Sequence, residues 1–486
     1  MPARNGAQYI EGLRNQPRGV WIGGERVRDV TAHPAFRRGA KAIAALYDMQ
    51  HDESLRDEMT FVSPDTGDRV GMSFLTTRTI DDLERRRRMM SLWARSSGGM
   101  IGRSPDYLNV SLMALASASE YVARDRPEFS DNIRRYYEHV RENDLTLTHT
   151  LVNMRRTRSA QGTVGTDEEI ALRVVEENDA GIVVRGARVL ATLGPLSDEI
   201  MVFPSTILRG AQGADPYSFA FSIPCGTPGL KFVCRESFDL GRSHFDHPLG
   251  SRFEEMDAIV FFDNVRVPWE RVFLLGDTEL CNNLFAATNA VVHMMHQVVT
   301  KNIAKSEFVL GLASLVVDTL GSGQLPNIQG LVAELITDLE VMKACLRASE
   351  ADAAIDEWGV MCPDRPPLDV ARNLFPKMYP RMVEILQLLG SSSLMAIPSD
   401  ADFDSEIAPD LEHYLSTDVM TGRERVRLFR LAWDVACSAF GSRQALYERF
   451  FFGDPTRMAS ALYNIYDREP LKERVLEFLK REELEK

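Results

Sequence analysis

The chain has 486 residues, 44% hydrophobic and 26% charged, the balance of an ordinary globular protein and too long for one simple core. Its 56 basic against 70 acidic residues give a net charge of −14, which repels a phosphate backbone and sets nucleic acid aside as a partner. Six cysteines without a CxxC pair exclude a disulfide framework or zinc ribbon and fit a reducing, cytoplasmic setting, while no apolar run approaches the roughly 20 residues of a membrane span and no apolar h-region opens the chain.

From about residue 35 to 150 the pattern is helical. Residues 85–88 are four arginines following Asp81, Asp82 and Glu84. Pairing at i,i+4 reads as a solvated helix face. Ser104 and Pro105 read as an N-cap and a first-turn proline, opening an apolar stretch over 108–122. From about 165 to 276 the period shifts towards two. Residues 181–191 predict two short strands around a turn at Arg185 and Gly186, and further strands are expected over 199–203, 218–223, 230–234 and 258–262. Such spacing suggests a small β-barrel or sandwich. From about 280 the helical period returns. Ile328, Leu331, Val332, Leu335, Leu339, Met342 and Leu346 share one face, as do Val426, Phe429, Trp433 and Ala436. That fits a helical bundle. The fold class is α+β, mostly α, divided as 1–150, 151–276 and 277–486.

Several motifs together carry a family resemblance. FDNVRVPWERV (262–272) closes the β-module, and GRSPDY (102–107) precedes a helix. THTLVN (148–153), ATLGPLSDE (191–199), GSRQALYER (441–449) and GDP (453–455) follow. In this order they resemble the acyl-CoA dehydrogenase-like superfamily, and within it the 4-hydroxyphenylacetate 3-monooxygenase oxygenase family. The resemblance implies an N-terminal helical domain, a middle β-barrel and a C-terminal four-helix bundle that assembles a homotetramer. It implies FAD, used as FADH2 supplied by a separate NAD(P)H:flavin reductase, with O2 as co-substrate. It also implies hydroxylation of a small aromatic substrate ortho to its hydroxyl through a flavin C4a-hydroperoxide. No GxGxxG follows a predicted strand, so the chain lacks the fingerprint of its own NAD(P)H site.

Oxygenating a phenol this way needs an electron-rich ring. A histidine titrating near working pH suits the phenol proton, a guanidinium suits a developing phenolate, and a tyrosine adds a hydrogen bond. His149, Arg103 and Tyr107 match the family positions for those roles. Ser205 matches a segment that meets substrate, and the glycine-containing stretch 206–217 suggests a closing loop. On the cofactor side, Thr192 matches the threonine at flavin N5. Asn153 and Arg158 match the family pattern; Arg155 departs from it yet still suits a pyrophosphate. Arg443, Phe452, Gly453 and Asp454 are further cofactor candidates. No metal is expected: His244/His247 and His293/His296 have i,i+3 spacing without accompanying ligands.

A 4-hydroxyphenylacetate-like acid is the first substrate expectation. Halophenols, nitrophenols and carrier-tethered aromatics of secondary metabolism stay open. An acyl-CoA dehydrogenase would have no use for the Arg/Tyr/His set. A 4-hydroxybutyryl-CoA dehydratase would need cysteine ligands for its iron–sulfur cluster, and none precedes Cys225. A non-catalytic scaffold on the same fold is the last alternative.

Overall fold

The computed structural model describes residues 3–124, 126–154, 170–204, 215–239, 241–451 and 453–481. The first segment contains α1 (Gly6–Asn15), β1 (Gly19–Ile22), β2 (Glu25–Val27), α2 (Arg37–Asp48) and α3 (Arg56–Met59). It continues with β3 (Thr60–Val62), β4 (Arg69–Gly71), α4 (Ile80–Ser96), α5 (Asp106–Ser117) and α6 (Pro127–Asn143). Capping boxes at Asn5 and Thr79 start α1 and α4, each satisfying orphan N–H groups at a helix end. Helix α5 is buried from Asp106 to Ala116, so it runs through the core and carries Asp106, Asn109 and Ser111 inward with it.

The middle segment holds β5 (Leu147–Thr150), β6 (Val152–Asn153), β7 (Arg173–Asn178), β8 (Gly181–Thr192) and β9 (Glu199–Val202). Then come β10 (Asp215–Pro224), β11 (Leu230–Cys234), β12 (Asp257–Pro268) and β13 (Val272–Gly276). They form two sheets. One runs β2-β1-β11-β12-β8-β6 with β7 also on β8; the other runs β13-β10-β9-β5. Phe221 of β10 meets Phe262 of β12 at 6.4 Å, which packs one sheet on the other. Both sheets are open at their ends among the described residues, so the expected barrel is not a closed one.

Two strand expectations change. Residues 181–192 make one long strand, not a hairpin. Gly186 has φ +133°, and a Cβ there would lie 2.4 Å from the Ala171 carbonyl oxygen. The glycine thus marks a close backbone approach and a bulge opposite β12, not a turn. The N-terminal segment also lends β1 and β2 to the middle sheet, β1 pairing in parallel with β11.

The last segment contains α7 (Thr278–Ala287), α8 (Ala290–Thr319), α9 (Pro326–Ala351), β14 (Ala354–Ile355), β15 (Met361–Cys362) and α10 (Arg365–Gly390). It ends with α11 (Ala408–Leu415), α12 (Gly422–Ala436), α13 (Ala439–Phe450), α14 (Pro455–Ile465) and α15 (Glu469–Arg481). Helix α8 packs against α4, α5, α9 and α10. Leu335, Leu339, Met342 and Leu346 bury the expected face of α9, and Val426, Phe429 and Ala436 that of α12. No described helix is long and apolar enough to cross a membrane.

The arginine run on α4 departs from a solvated face. Arg86 is fully buried, its Nη2 2.8 Å from His293 Nδ1, and burial lowers its pKa to about 10. Its neighbours pair outward, Arg87 with Glu350 and Arg88 with Glu58.

Candidate active site

Arg103 lies in the turn before α5, Tyr107 in the first turn of that helix, and His149 on β5. The fold brings them together. The Tyr107 and His149 rings are 5.9 Å apart. The Arg103 guanidinium carbon sits 4.2 Å from the Tyr107 ring centre and 4.0 Å from that of Phe451, held between two aromatic faces. Phe203 stands 6.0 Å from His149, and Phe285 of α7 stands 4.9 Å from Phe203. These rings form an apolar wall beside the three polar groups.

Burial, and then the Arg103 charge, hold the His149 pKa well below the ordinary histidine value. The expected imidazole titrating near neutrality is therefore a neutral one, able to accept a proton or hydrogen bond. Burial raises the Tyr107 pKa against the opposing Arg103, so its hydroxyl stays a donor. Arg103 Nε and Nη1 are buried without a hydrogen-bond partner. Buried donors left unused in a native fold point to a ligand acceptor.

Among the cofactor candidates, Asn153 is 5% exposed and its Oδ1 has no partner, and neither has the buried Thr150 Oγ1. Thr192 is buried, and its hydroxyl donates to Asp257 Oδ1 at 2.7 Å. Arg443 reaches from α13 to Asp257 (2.7 and 2.9 Å) and Glu255 (2.9 Å). Gly453 has φ +115° with open space where a Cβ would stand. Asp454 caps α14 by accepting from the Thr456 and Arg457 N–H groups. Arg155, Arg158, Ser205 and Phe452 lie outside the described residues.

Unsatisfied polar atoms at Asn153 and Thr150, with the open approach at Gly453, fit a large polar cofactor such as FAD. Gly453 also lines a small cleft with Val298, Asn302, Arg372, Phe375 and Phe451. A roomier surface cleft between α4, α8 and α9 contains none of the predicted site residues, and its ion pairs Arg87–Glu350 and Arg95–Glu307 are already satisfied.

Sequence reading missed Gly102, Glu255, Asp257, Tyr447 and Phe451. Glu254, Glu255 and Asp257, just before and at the start of β12, are buried or nearly so. Arg235, just after β11, also binds Asp257 (3.0 Å) and Glu254 (2.6 Å). Burial opposes ionisation of Asp257, but Arg443 and Arg235 hold its carboxyl far below the usual range. Removing one partner from such a buried cluster costs about 3–5 kcal/mol. Nothing in the sequence pairs these acids with Arg443, one of two arginines inside GSRQALYER. His293 and His296 bond Arg86 and Glu350, and no described group of three or more His, Cys, Asp or Glu is placed to hold a metal.

Fold and site together define a class: a helix-rich α+β protein with Arg103, Tyr107 and His149 gathered among aromatic rings. Residues 5–274 match the family described as 4-hydroxyphenylacetate 3-hydroxylase N terminal, and residues 281–480 match its C-terminal counterpart. The chain belongs to the 4-hydroxyphenylacetate 3-hydroxylase family. It is 50% identical to the 4-hydroxyphenylacetate 3-monooxygenase oxygenase component of Geobacillus sp. (strain PA-9), over 99% of this chain and 97% of that one. A crystal structure of an oxygenase component of 4-hydroxyphenylacetate 3-monooxygenase, complexed with FAD and 4-hydroxyphenylacetate, superposes with a TM-score of 0.94 at 48% identity, covering 99% of both chains. An archaeal 4-hydroxybutyryl-CoA dehydratase from N. maritimus shares the fold alone, at TM-score 0.87 and 20% identity over 98% of this chain and 95% of that one.

Proposed function

We propose that this chain is the oxygenase component of a two-component aromatic hydroxylase acting on 4-hydroxyphenylacetate or a close analogue. It takes FADH2 from a separate reductase and places one atom of O2 ortho to the phenolic hydroxyl. The observation that carries this is the Arg103–Tyr107–His149 cluster, with unused guanidinium donors facing a neutral imidazole.

Bound reduced flavin, with O2, supplies the electrophilic oxygen. The side chains manage the phenol. His149 accepts the phenolic hydrogen at a ring nitrogen. Arg103 stabilises the negative charge growing on that oxygen, and Tyr107 donates to it. Phe203 and Phe285 keep water from the ring, which strengthens each of these interactions. Asn153, Arg155, Arg158, Phe452 and Gly453 hold the cofactor, Thr192 meets its ring, and Ser205 takes the substrate's far end. The same reading divides the chain at about 150 and 276, gives the last part a four-helix bundle, and makes the protein a cytoplasmic homotetramer.

The test is direct. Protein, chemically reduced FAD, oxygenated buffer and 4-hydroxyphenylacetate are mixed, and products are separated by chromatography. The 3,4-dihydroxy acid is expected. Unchanged substrate with hydrogen peroxide alone rejects this substrate. Flavin reoxidation at its free-solution rate, whatever phenol is present, rejects the hydroxylase.

A further inference from the structure

A continuous chain of partly buried hydrogen bonds joins the substrate side of the proposed site to its cofactor side. The Arg103 backbone N–H donates to Glu255 Oε1 at 2.6 Å. Glu255 Oε2 accepts from Arg443 Nη1 at 2.9 Å. Arg443 Nη2 and Nε bond the two oxygens of Asp257 at 2.7 and 2.9 Å. Asp257 Oδ1 accepts the Thr192 hydroxyl at 2.7 Å. The links come from the turn before α5, from β12, from α13 and from β8, so all three parts of the chain contribute.

Each link has a direction. An ionised carboxylate only accepts hydrogen bonds, and a guanidinium only donates. Asp257 stays ionised beside Arg443 and Arg235. The Thr192 hydroxyl must therefore spend its hydrogen on Asp257, which leaves only lone pairs for a ligand. A reduced flavin ring carries hydrogens on nitrogens that are bare acceptors in the oxidised ring. Thr192 so oriented matches the reduced form and opposes the oxidised one. At the other end, Glu255 fixes the backbone of Arg103. A Cβ at Gly102 would lie 2.5 Å from the Tyr447 ring, so that turn has no slack on its other side.

We propose that Arg443 is a positioning residue, which through Glu255 sets Arg103 against the phenol and through Asp257 sets Thr192 as an acceptor selecting reduced flavin. It touches neither ligand. This rests on the function proposed above, and differs from the sequence expectation that Arg443 contacts the cofactor.

Glu255→Gln, Asp257→Asn and Arg443→Gln keep side-chain size or nearly so while removing charge. Three quantities are measured on each: calorimetric affinity of the flavin-free protein for 4-hydroxyphenylacetate, affinities for FADH2 (anaerobic) and FAD, and melting temperature. Arg443→Gln is expected to weaken the phenol roughly tenfold or more, the scale of a lost charge-assisted hydrogen bond. It is also expected to shrink the preference for FADH2 over FAD. Asp257→Asn should alter the flavin preference more than the phenol affinity, and Glu255→Gln the reverse. The Glu255→Gln/Arg443→Gln double variant should bind phenol no worse than the poorer single variant, because both break one chain.

Arg443→Gln with normal phenol affinity and equal loss of both flavin forms makes Arg443 a direct cofactor contact and overturns the proposal. A lowered melting temperature with unchanged affinities makes the chain a structural staple and also overturns it. If Arg443→Gln does not fold, Glu255→Gln decides alone, and unchanged phenol affinity there sinks the proposal. Failure of the native protein to bind 4-hydroxyphenylacetate would instead remove the function proposed above.

Discussion

His149 and Gly102 show how much of the site rests on single side chains. The imidazole lies between Tyr107 and Phe203, neutral through burial and the nearby Arg103. His149→Asn keeps a polar side chain but loses the basic nitrogen. Hydroxylation is expected to slow by about 100-fold or more, the usual worth of a positioned acid or base. Flavin oxidation continues, so hydrogen peroxide replaces catechol product, read by a peroxide assay beside chromatography. Normal coupling in that variant removes His149 from the chemistry. Gly102→Ala acts without touching a ligand. The added methyl meets the Tyr447 ring and hydroxyl at 2.5–2.6 Å, so the turn or α13 must shift. A stability loss of about 1–3 kcal/mol is expected, with weaker phenol binding. Thermal melting and calorimetry check both. Arg103, Tyr107 and His149 could be picked out in the sequence because each sits inside a motif, and the fold brings the three side chains together. Glu255 and Asp257 could not be picked out, because an acid beside a buried arginine looks in sequence like any surface acid. Phe451 and Tyr447 became visible only when α13 was seen packed on the Arg103 turn.

Elements were legible where one face alone is buried. Helix α9 kept its expected stripe. Helix α4 did not, because its second arginine turns inward to His293 of α8, and no period in the sequence marks a buried cation. Strand β8 was read as a hairpin because glycine signals a turn and a close backbone contact equally well. The histidines of α8 carry a prediction. Burial lowers the pKa of His293 and His296, as it does for His149. In the unfolded chain each titrates near 6.5, so on acidification the unfolded state binds protons that the native state does not. Stability therefore falls as pH drops from about 7.5 to about 6, by up to about 1.4 kcal/mol per pH unit for each histidine below its unfolded value. Asp106 and Asp144, both raised by burial to about 6, take up protons in the native state from the lower half of that window downward and increasingly oppose the trend there. Melting temperatures across this range should decline, and His293→Gln should flatten the decline. A flat or rising profile in the native protein contradicts the assignment.

The order of helical, sheet and helical segments was legible at the scale of the whole molecule, because periodicity changes where the layers change. The openness of the two sheets was not, since pairing between distant strands leaves no local trace: β1 joins β11 across about two hundred residues of sequence. On α15, Leu471, Val475, Phe478 and Leu479 recur at helical spacing, each about half exposed or more. Tyr463, Ile465 and Tyr466 extend the apolar surface into α14. Isolated exposed apolar side chains need no cause, but a contiguous helix stripe of them marks a contact surface. Under the proposed homotetramer, this stripe packs against another copy of the chain. A chain ending at residue 466 should then show fewer copies per particle by light scattering than the full chain. Its described core, which uses none of residues 467–481, should remain folded, with near-native circular dichroism. An unchanged number of copies per particle removes this stripe from any assembly surface.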